Sequence, residues 1–261
     1  MATFALVHGA WFGGWCWTPL AARLRQMGHT VVAPDLPIDD VEAGVAEYAA
    51  VVERALDDVV ARDSQSGGKG GKPSVGGPND GGPEGGDVIL VGHSLGGLTI
   101  PVVAEHRPVA GLIFLCAFLP DPGKPMQVDP DTFSPAWAEL TAQQVTHDDG
   151  STSWPHDAAI QTFFHDMPYD EATTAARQLR RQSWTPANQD NPLEALPTAP
   201  AAYVLCADDR VISPAWSRRV ARSRLGVDPI DLPGGHAPML VDPDLMADLL
   251  DQMAAGLAQI R

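Results

Sequence analysis

Cysteine is scarce in this chain: Cys16, Cys116 and Cys206 are the only three, widely separated and odd in number. That excludes a disulfide framework and a cysteine zinc site. Cys116 and Cys206 stand in apolar runs and read as small core residues. Positive charge is also short. The 17 Lys and Arg face 33 Asp and Glu, giving a formal net charge of −16, which argues against nucleic-acid and anionic-membrane partners. No apolar run approaches the roughly 20 residues that cross a bilayer. The first residues, Met1 to Gly9, lack the basic start and small-residue cleavage site of a signal peptide, so a cytoplasmic location is expected. His147, His156 and His165 lack metal-ligand spacing, so a metal site is not expected.

What the chain does contain is a rhythm of apolar β-rich runs and amphipathic segments. Its 261 residues suffice for one large domain with a full core. The composition predicts strands at Phe4 to His8, Thr30 to Leu36, Val88 to Val91, Val109 to Phe118, Ala201 to Cys206 and Val227 to Leu232. Helical spacing is found at Thr18 to Met27, Val41 to Arg62, Leu98 to His106 and Asp242 to Ile260. In the second of these, Val45, Tyr48, Val52, Ala55 and Val59 form one stripe. Alternation of this kind implies an α/β fold with a mainly parallel, doubly wound sheet.

Two segments break the rhythm. Residues 64–86 are rich in Gly, Pro and Ser, which predicts a mobile loop. The loop joins a helix to a strand, so it is expected at the edge of the sheet away from ligands. Residues 120–197 are helix-forming and aromatic-rich, with Phe133, Trp137, Trp154, Phe163, Phe164 and Trp184. They follow a strand that ends at the carboxyl edge, so they are expected to cap the site, with most of the aromatics forming the cap's own core. The core domain is then 1–119 and 198–261, with the cap inserted between.

The most informative run is Val88-Ile89-Leu90-Val91-Gly92-His93-Ser94-Leu95-Gly96-Gly97. Here Gly-x-Ser-x-Gly directly follows a buried-strand pattern and precedes a helical one. A sharp strand-to-helix turn of this type exposes a strained serine, and small flanking residues are needed because a Cβ would strike neighbouring backbone. Ser94 is therefore the candidate nucleophile. A serine hydroxyl requires a base near neutral pH. Of eight histidines, His236 is the candidate, because Pro233-Gly234-Gly235-His236 opens a flexible loop just past a strand. An acid must hold the imidazole tautomer. Asp208 and Asp209 both follow the strand Ala201 to Cys206; Asp209 is preferred, and Asp208 is the alternative. For the oxyanion, the backbone amides of Leu95 and Ala10 are the candidate donors. His8 and His93 read as packing histidines. An apolar pocket is expected from Trp11, Phe12, Phe118, Leu119 and Met239, with Trp137, Phe163 and Phe164 added by the cap.

Leu6-Val7-His8-Gly9-Ala10-Trp11-Phe12-Gly13-Gly14-Trp15-Cys16-Trp17 resembles the opening of the plant methylesterase and hydroxynitrile lyase branch of the α/β-hydrolase superfamily. Gly28 to Leu36, the serine turn, the Asp209 segment and Gly235-His236-Ala237-Pro238-Met239-Leu240 are similar too. The resemblance implies an α/β-hydrolase fold with a helical cap, a Ser94–Asp209–His236 triad, an Ala10/Leu95 oxyanion hole and no cofactor. Lyases of this branch carry threonine where Gly9 stands and lysine where Ala237 stands, so ester hydrolysis is expected over cyanide chemistry. The expected partner is a small apolar or aromatic ester or a lactone, and a homodimer is admitted without any motif requiring it. The rivals are a cofactor-free lyase, epimerase or oxygenase of the same fold, or a ligand-binding receptor with a vestigial triad.

Overall fold

The computed structural model describes residues 1–66 and 88–257. Strand β1 (Thr3–Val7) runs through a short turn of helix into α1 (Thr18–Gln26), and β2 (Thr30–Val32) into α2 (Val45–Ser66). Strand β3 (Val88–His93) enters a tight helical turn, Ser94–Leu98, and then α3 (Ile100–His106). After β4 (Gly111–Leu115) comes the inserted segment: α4 (Trp137–Thr141), a hairpin of β5 (Val145–Thr146) and β6 (Thr152–Ser153), α5 (His156–Phe163), α6 (Tyr169–Ala176) and α7 (Thr185–Asn188). The chain then returns to β7 (Ala201–Cys206), α8 (Pro214–Val220), β8 (Ile230–Leu232), α9 (Pro238–Val241) and α10 (Pro243–Leu257).

The six core strands lie in the order β2-β1-β3-β4-β7-β8, every pair parallel. Strands β3 and β4 are buried along their whole length, as expected of a sheet covered on both faces. Helices α1 and α10 pack together, as do α2 and α3. The strand order reverses between β1 and β3, which creates a crevice outside their carboxyl ends. The loop from His8 to Trp11 and the turn at Ser94 both open there.

Several predicted boundaries shift, each for a local reason. β2 stops at Val32 rather than Leu36, because Pro34 has no amide to give a ladder and Leu36 N–H is taken by His8 Nε2 at 3.0 Å. β8 begins at Ile230, after Pro229, rather than at Val227. Helix α2 starts at Val45, not Val41, because the Glu47 carboxylate reaches back to the Gly44 amide at 2.8 Å and caps the turn. Its buried stripe is Val45, Tyr48, Ala49, Val52 and Leu56; Ala55 and Val59 are only half-buried. Residues 64–66 continue this helix, and the rest of the predicted glycine-rich loop lies outside the described residues. So does the predicted end of the last helix at Ile260. Among the described residues no helix is long and apolar enough to cross a membrane.

Candidate active site

Ser94 adopts a left-handed backbone, φ +52°, a conformation that costs a non-glycine residue roughly 1–2 kcal/mol. Its neighbours enforce the turn. A Cβ on Gly96 would lie 2.6 Å from the Val7 carbonyl oxygen and 2.8 Å from that of His8, closer than any carbon can approach. Position 96 therefore presses the turn directly onto the end of β1. On the far side, the Ser94 carbonyl accepts the Phe118 amide at 3.1 Å. The serine is thus clamped between the loops that follow β1 and β4, and it is only 5% exposed.

His236 and Asp209 meet at the same edge. The imidazole Nδ1–H donates to Asp209 Oδ2 at 2.8 Å, with both side chains buried. The other carboxylate oxygen accepts the amides of Val211 at 2.7 Å and Ile212 at 3.2 Å. Asp209 is thereby fixed from one side while it fixes His236 from the other. With the proton on Nδ1, Nε2 is left as the basic nitrogen. Asp208 makes no such contact: its carboxylate accepts the Gly234 amide at 3.3 Å and its own amide donates to the Gly234 carbonyl at 3.0 Å. It pins the turn that carries His236.

Two further histidines support this frame. His93 Nε2–H donates to the His236 carbonyl at 2.7 Å, and the two rings lie 4.7 Å apart. His8 Nδ1–H donates to the Gly9 carbonyl at 3.0 Å while Nε2 accepts the Leu36 amide at 3.0 Å, so it needs to be neutral. Burial drives both away from protonation: it lowers His8 from the ordinary 6.5 to about 4, opposed in part by the bond to Gly9, and holds His93 well below the usual range, helped by His236.

The sign of the consequence is fixed by linkage. Between pH 6.5 and 4 the unfolded chain binds a proton at position 8 that the folded chain refuses, so stability falls as pH drops through that window and is kept above it. A shift of this size corresponds to about 3 kcal/mol from His8, and His93 adds to it with the same sign. The midpoint of thermal unfolding is expected to fall steadily from pH 6.5 to pH 4, and less steeply in a His8→Asn chain. Equal slopes in the two proteins contradict this account.

The candidate oxyanion donors flank a cavity of about 40 Å³ that also touches Ser94. Ala10, Trp11, Ser94, Leu95, Phe118 and Val211 line it. Met126, Phe133, Trp137 and Trp184, from the segment between β4 and β7, complete the lining. Leu95 stands in the first turn after the serine, where an amide has no intrahelical acceptor. Among the described residues, the Ala10 amide meets no chain acceptor either.

Trp11, Phe118 and Trp137 thus reach the cavity as expected, whereas Phe12, Leu119, Phe163, Phe164 and Met239 do not line it. The reason is a second aromatic layer. Phe12 stacks on Trp15 at 5.7 Å and meets His93, Phe163 and Phe164. Phe163 backs the Trp11 ring at 5.6 Å and lies 6.0 Å from that of His236. Phe164 and Met239 are wholly buried in the core, and Leu119 presents its carbonyl to Arg224 at 3.2 Å. Of the aromatics in the inserted segment, Phe133, Trp137 and Trp184 face the cavity, more than the minority expected. Met126 and Val211 were missed. Val211 follows Asp209 by two residues in the segment that carries the acid, whereas Met126 stands in no motif and is tied down by its amide, which donates to the Ala187 carbonyl at 2.8 Å.

A parallel sheet with a strained serine after β3, an acid after β7 and a histidine after β8 has counterparts. The sequence matches the alpha/beta hydrolase family over residues 4–249. The chain belongs to that family. The hydrolase is similar to a pyrethroid hydrolase of Sphingobium wenxiniae, 30% identical over 277 residues that cover 98% of this chain and 89% of that one. It is also similar to Methylesterase 2 of Arabidopsis thaliana, 25% identical over 268 residues, 95% of this chain and 94% of the relative. Among solved structures, a pyrethroid hydrolase of Sphingobium faniae superposes with a TM-score of 0.73 at 25% identity, covering 99% of each chain. The enzyme is of the carboxylesterase type, in the methylesterase-like branch of the family.

Proposed function

We propose that this hydrolase cleaves small apolar or aromatic carboxylic esters, or lactones, through an acyl-enzyme on Ser94. The observation that carries the proposal is the buried 2.8 Å bond from His236 Nδ1–H to Asp209, which leaves a basic Nε2 on the histidine that shares the sheet edge with the serine. In the reaction, Ser94 Oγ attacks the ester carbonyl and its proton passes to His236. The imidazolium is steadied by Asp209, and the amides of Ala10 and Leu95 receive the charge on the carbonyl oxygen. His236 then protonates the leaving alcohol. Water, deprotonated by the same base, attacks the acyl-enzyme and frees the acid.

The aromatic and aliphatic walls of the cavity favour uncharged, flat groups. Its volume of about 40 Å³ is far below the ~300 Å³ or more of typical small-molecule sites, so a substrate enters only as the inserted segment moves outward. That segment, 120–197, is accordingly proposed as a cap over a core of 1–119 and 198–261. A cytoplasmic setting and a small-molecule partner, with no nucleic acid or membrane, belong to the same proposal and accord with the net charge of −16. A lyase reading is disfavoured at the two positions that carry lyase chemistry. A side chain at Gly9 would place its Cβ 2.6 Å from Ser94 Cβ, and Ala237 is fully buried with no ammonium to offer. Assays on a panel of short activated aryl esters are expected to show turnover, with mandelonitrile left intact. Cleavage of mandelonitrile without ester hydrolysis overturns the proposal.

A further inference from the structure

Beyond the triad, one wholly buried amide side chain touches the loop that carries an oxyanion donor. Gln182, 0% exposed, lies in the inserted segment between α6 and α7. Its Oε1 accepts the backbone amide of Trp11 at 3.2 Å across 171 residues of sequence. Its Nε2 donates to Tyr48 Oη at 3.3 Å and to the carbonyl of Ser183. The backbone of Gln182 is itself held by a reciprocal pair of 2.9 Å bonds with Thr152. The amide group is therefore fixed at both ends, and Trp11 N–H has a rigid acceptor.

Trp11 needs one. Its backbone is left-handed, φ +64°, a conformation in which a bulky residue persists only when its surroundings impose it. Three bonds from the inserted segment do so: Gln182 at the amide, the Arg180 amide at the Trp11 carbonyl at 2.7 Å, and Thr152 Oγ1 at the indole Nε1–H at 3.0 Å. Only the first comes from a side chain acting on the Trp11 backbone. The next residue back is Ala10, which lines the Ser94 cavity and whose amide meets no chain acceptor among the described residues. The Trp11 N–H that Gln182 holds belongs to the peptide unit joining Ala10 to Trp11, and that unit meets the one bearing the Ala10 N–H at the Ala10 Cα, so fixing the first leaves only the dihedrals at Ala10 to orient the second.

We infer that Gln182 is a positioning residue: by holding the peptide unit between Ala10 and Trp11 it aims the adjoining Ala10 amide at the oxyanion, so that the cap sets the catalytic geometry of the core. The inference rests on the Ser94 acyl-enzyme reading. The same contact links entry to chemistry. When the segment lifts to admit substrate, Trp11 loses its acceptor, and the donor is restored only on closure. Water that reaches the open site then meets an incomplete oxyanion hole.

The test is a kinetic series on an aryl ester with the full chain. Gln182→Met, similar in length but without an acceptor, is expected to lower kcat roughly 10- to 100-fold with KM within about threefold, since a misaimed donor weakens only the transition state. The inhibition constant of an arylboronic acid, which forms a tetrahedral adduct with the serine, is expected to rise by about the same factor. Gln182→Glu retains an acceptor, is kept protonated by its burial, and is expected to hold kcat within about fivefold of the parent. It also serves if Gln182→Met does not fold. Tyr48→Phe removes one of the two acceptors of Gln182 Nε2 and leaves the bond to Trp11 in place, so it is expected to change kcat by less than about twofold. A Gln182→Met enzyme with unchanged kcat overturns the inference. So does a loss in Tyr48→Phe equal to that in Gln182→Met, or a fall beyond about tenfold in Gln182→Glu. No ester turnover by the unsubstituted protein overturns the Ser94 reading together with this one, whereas normal turnover with an indifferent Gln182→Met overturns this one alone.

Discussion

Replacing Ser94 with alanine is expected to lower kcat for an aryl ester by about 10⁴-fold or more, while substrate still binds. The hydroxyl is the only atom lost, and it is the atom that forms the acyl bond. Residual rate can come only from the oxyanion donors and from bound water, which together provide a small part of the acceleration. The substitution leaves the fold intact for identifiable reasons. Alanine meets the same left-handed strain as serine at φ +52°. The Ser94 backbone carbonyl keeps its bond to Phe118. The unfolding midpoint is therefore expected to stay close to that of the parent, so that lost activity cannot be attributed to lost structure. An alanine variant with near-parental kcat contradicts the mechanism outright.

The second large effect concerns the acid. Asp209→Asn is nearly isosteric and is expected to reduce kcat by about 10³- to 10⁴-fold. The structure supplies the reason. One oxygen of residue 209 accepts two backbone amides, from Val211 and Ile212, so an asparagine must turn its carbonyl to them and its NH₂ to His236. The imidazole then accepts at Nδ1 and carries its proton on Nε2, where it can no longer take one from the serine. Asp208→Asn is expected to stay within about threefold, because Asp208 touches the turn at Gly234 and not the imidazole. Comparable losses at the two positions contradict the assignment of Asp209.

Why some of this could be read from the sequence and some could not has a physical basis. The turn at Ser94 was legible because its strand, its small residues and its helix are contiguous, and the close approach at Gly96 leaves no alternative residue type. His236 and Asp209 were legible because each follows directly on a strand of a parallel sheet, whose carboxyl ends all open on one side. The parallel order itself followed from the alternation of strands and helices. The edge-strand ends were read too long, since Pro34 and Pro229 withdraw the ladder donors while the apolar pattern runs on.

Of the residues that the segment between β4 and β7 brings to the cavity, Trp137 was legible and Met126 was not. The ties between that segment and the loop after β1, such as Gln182 to Trp11 and Thr152 to Trp11, span 171 and 141 residues, and no local pattern marks Gln182 or Thr152. The same holds for the aromatic layers. Phe12 and Trp11 are neighbours in sequence, yet only Trp11 meets the cavity, because its left-handed backbone turns successive side chains to different sides. The short hairpin of β5 and β6 was also hidden, being two residues per strand.

The central claim is that the hydroxyl at position 94 is an activated nucleophile. The most direct measurement is to react the folded protein with an aryl fluorophosphonate and to locate the adduct by peptide mass spectrometry. Stoichiometric modification of the peptide containing Ser94, abolished in Ser94→Ala and strongly slowed in Asp209→Asn, is the expected result. A protein that hydrolyses esters while Ser94 stays unmodified, or that is modified at another residue, contradicts it.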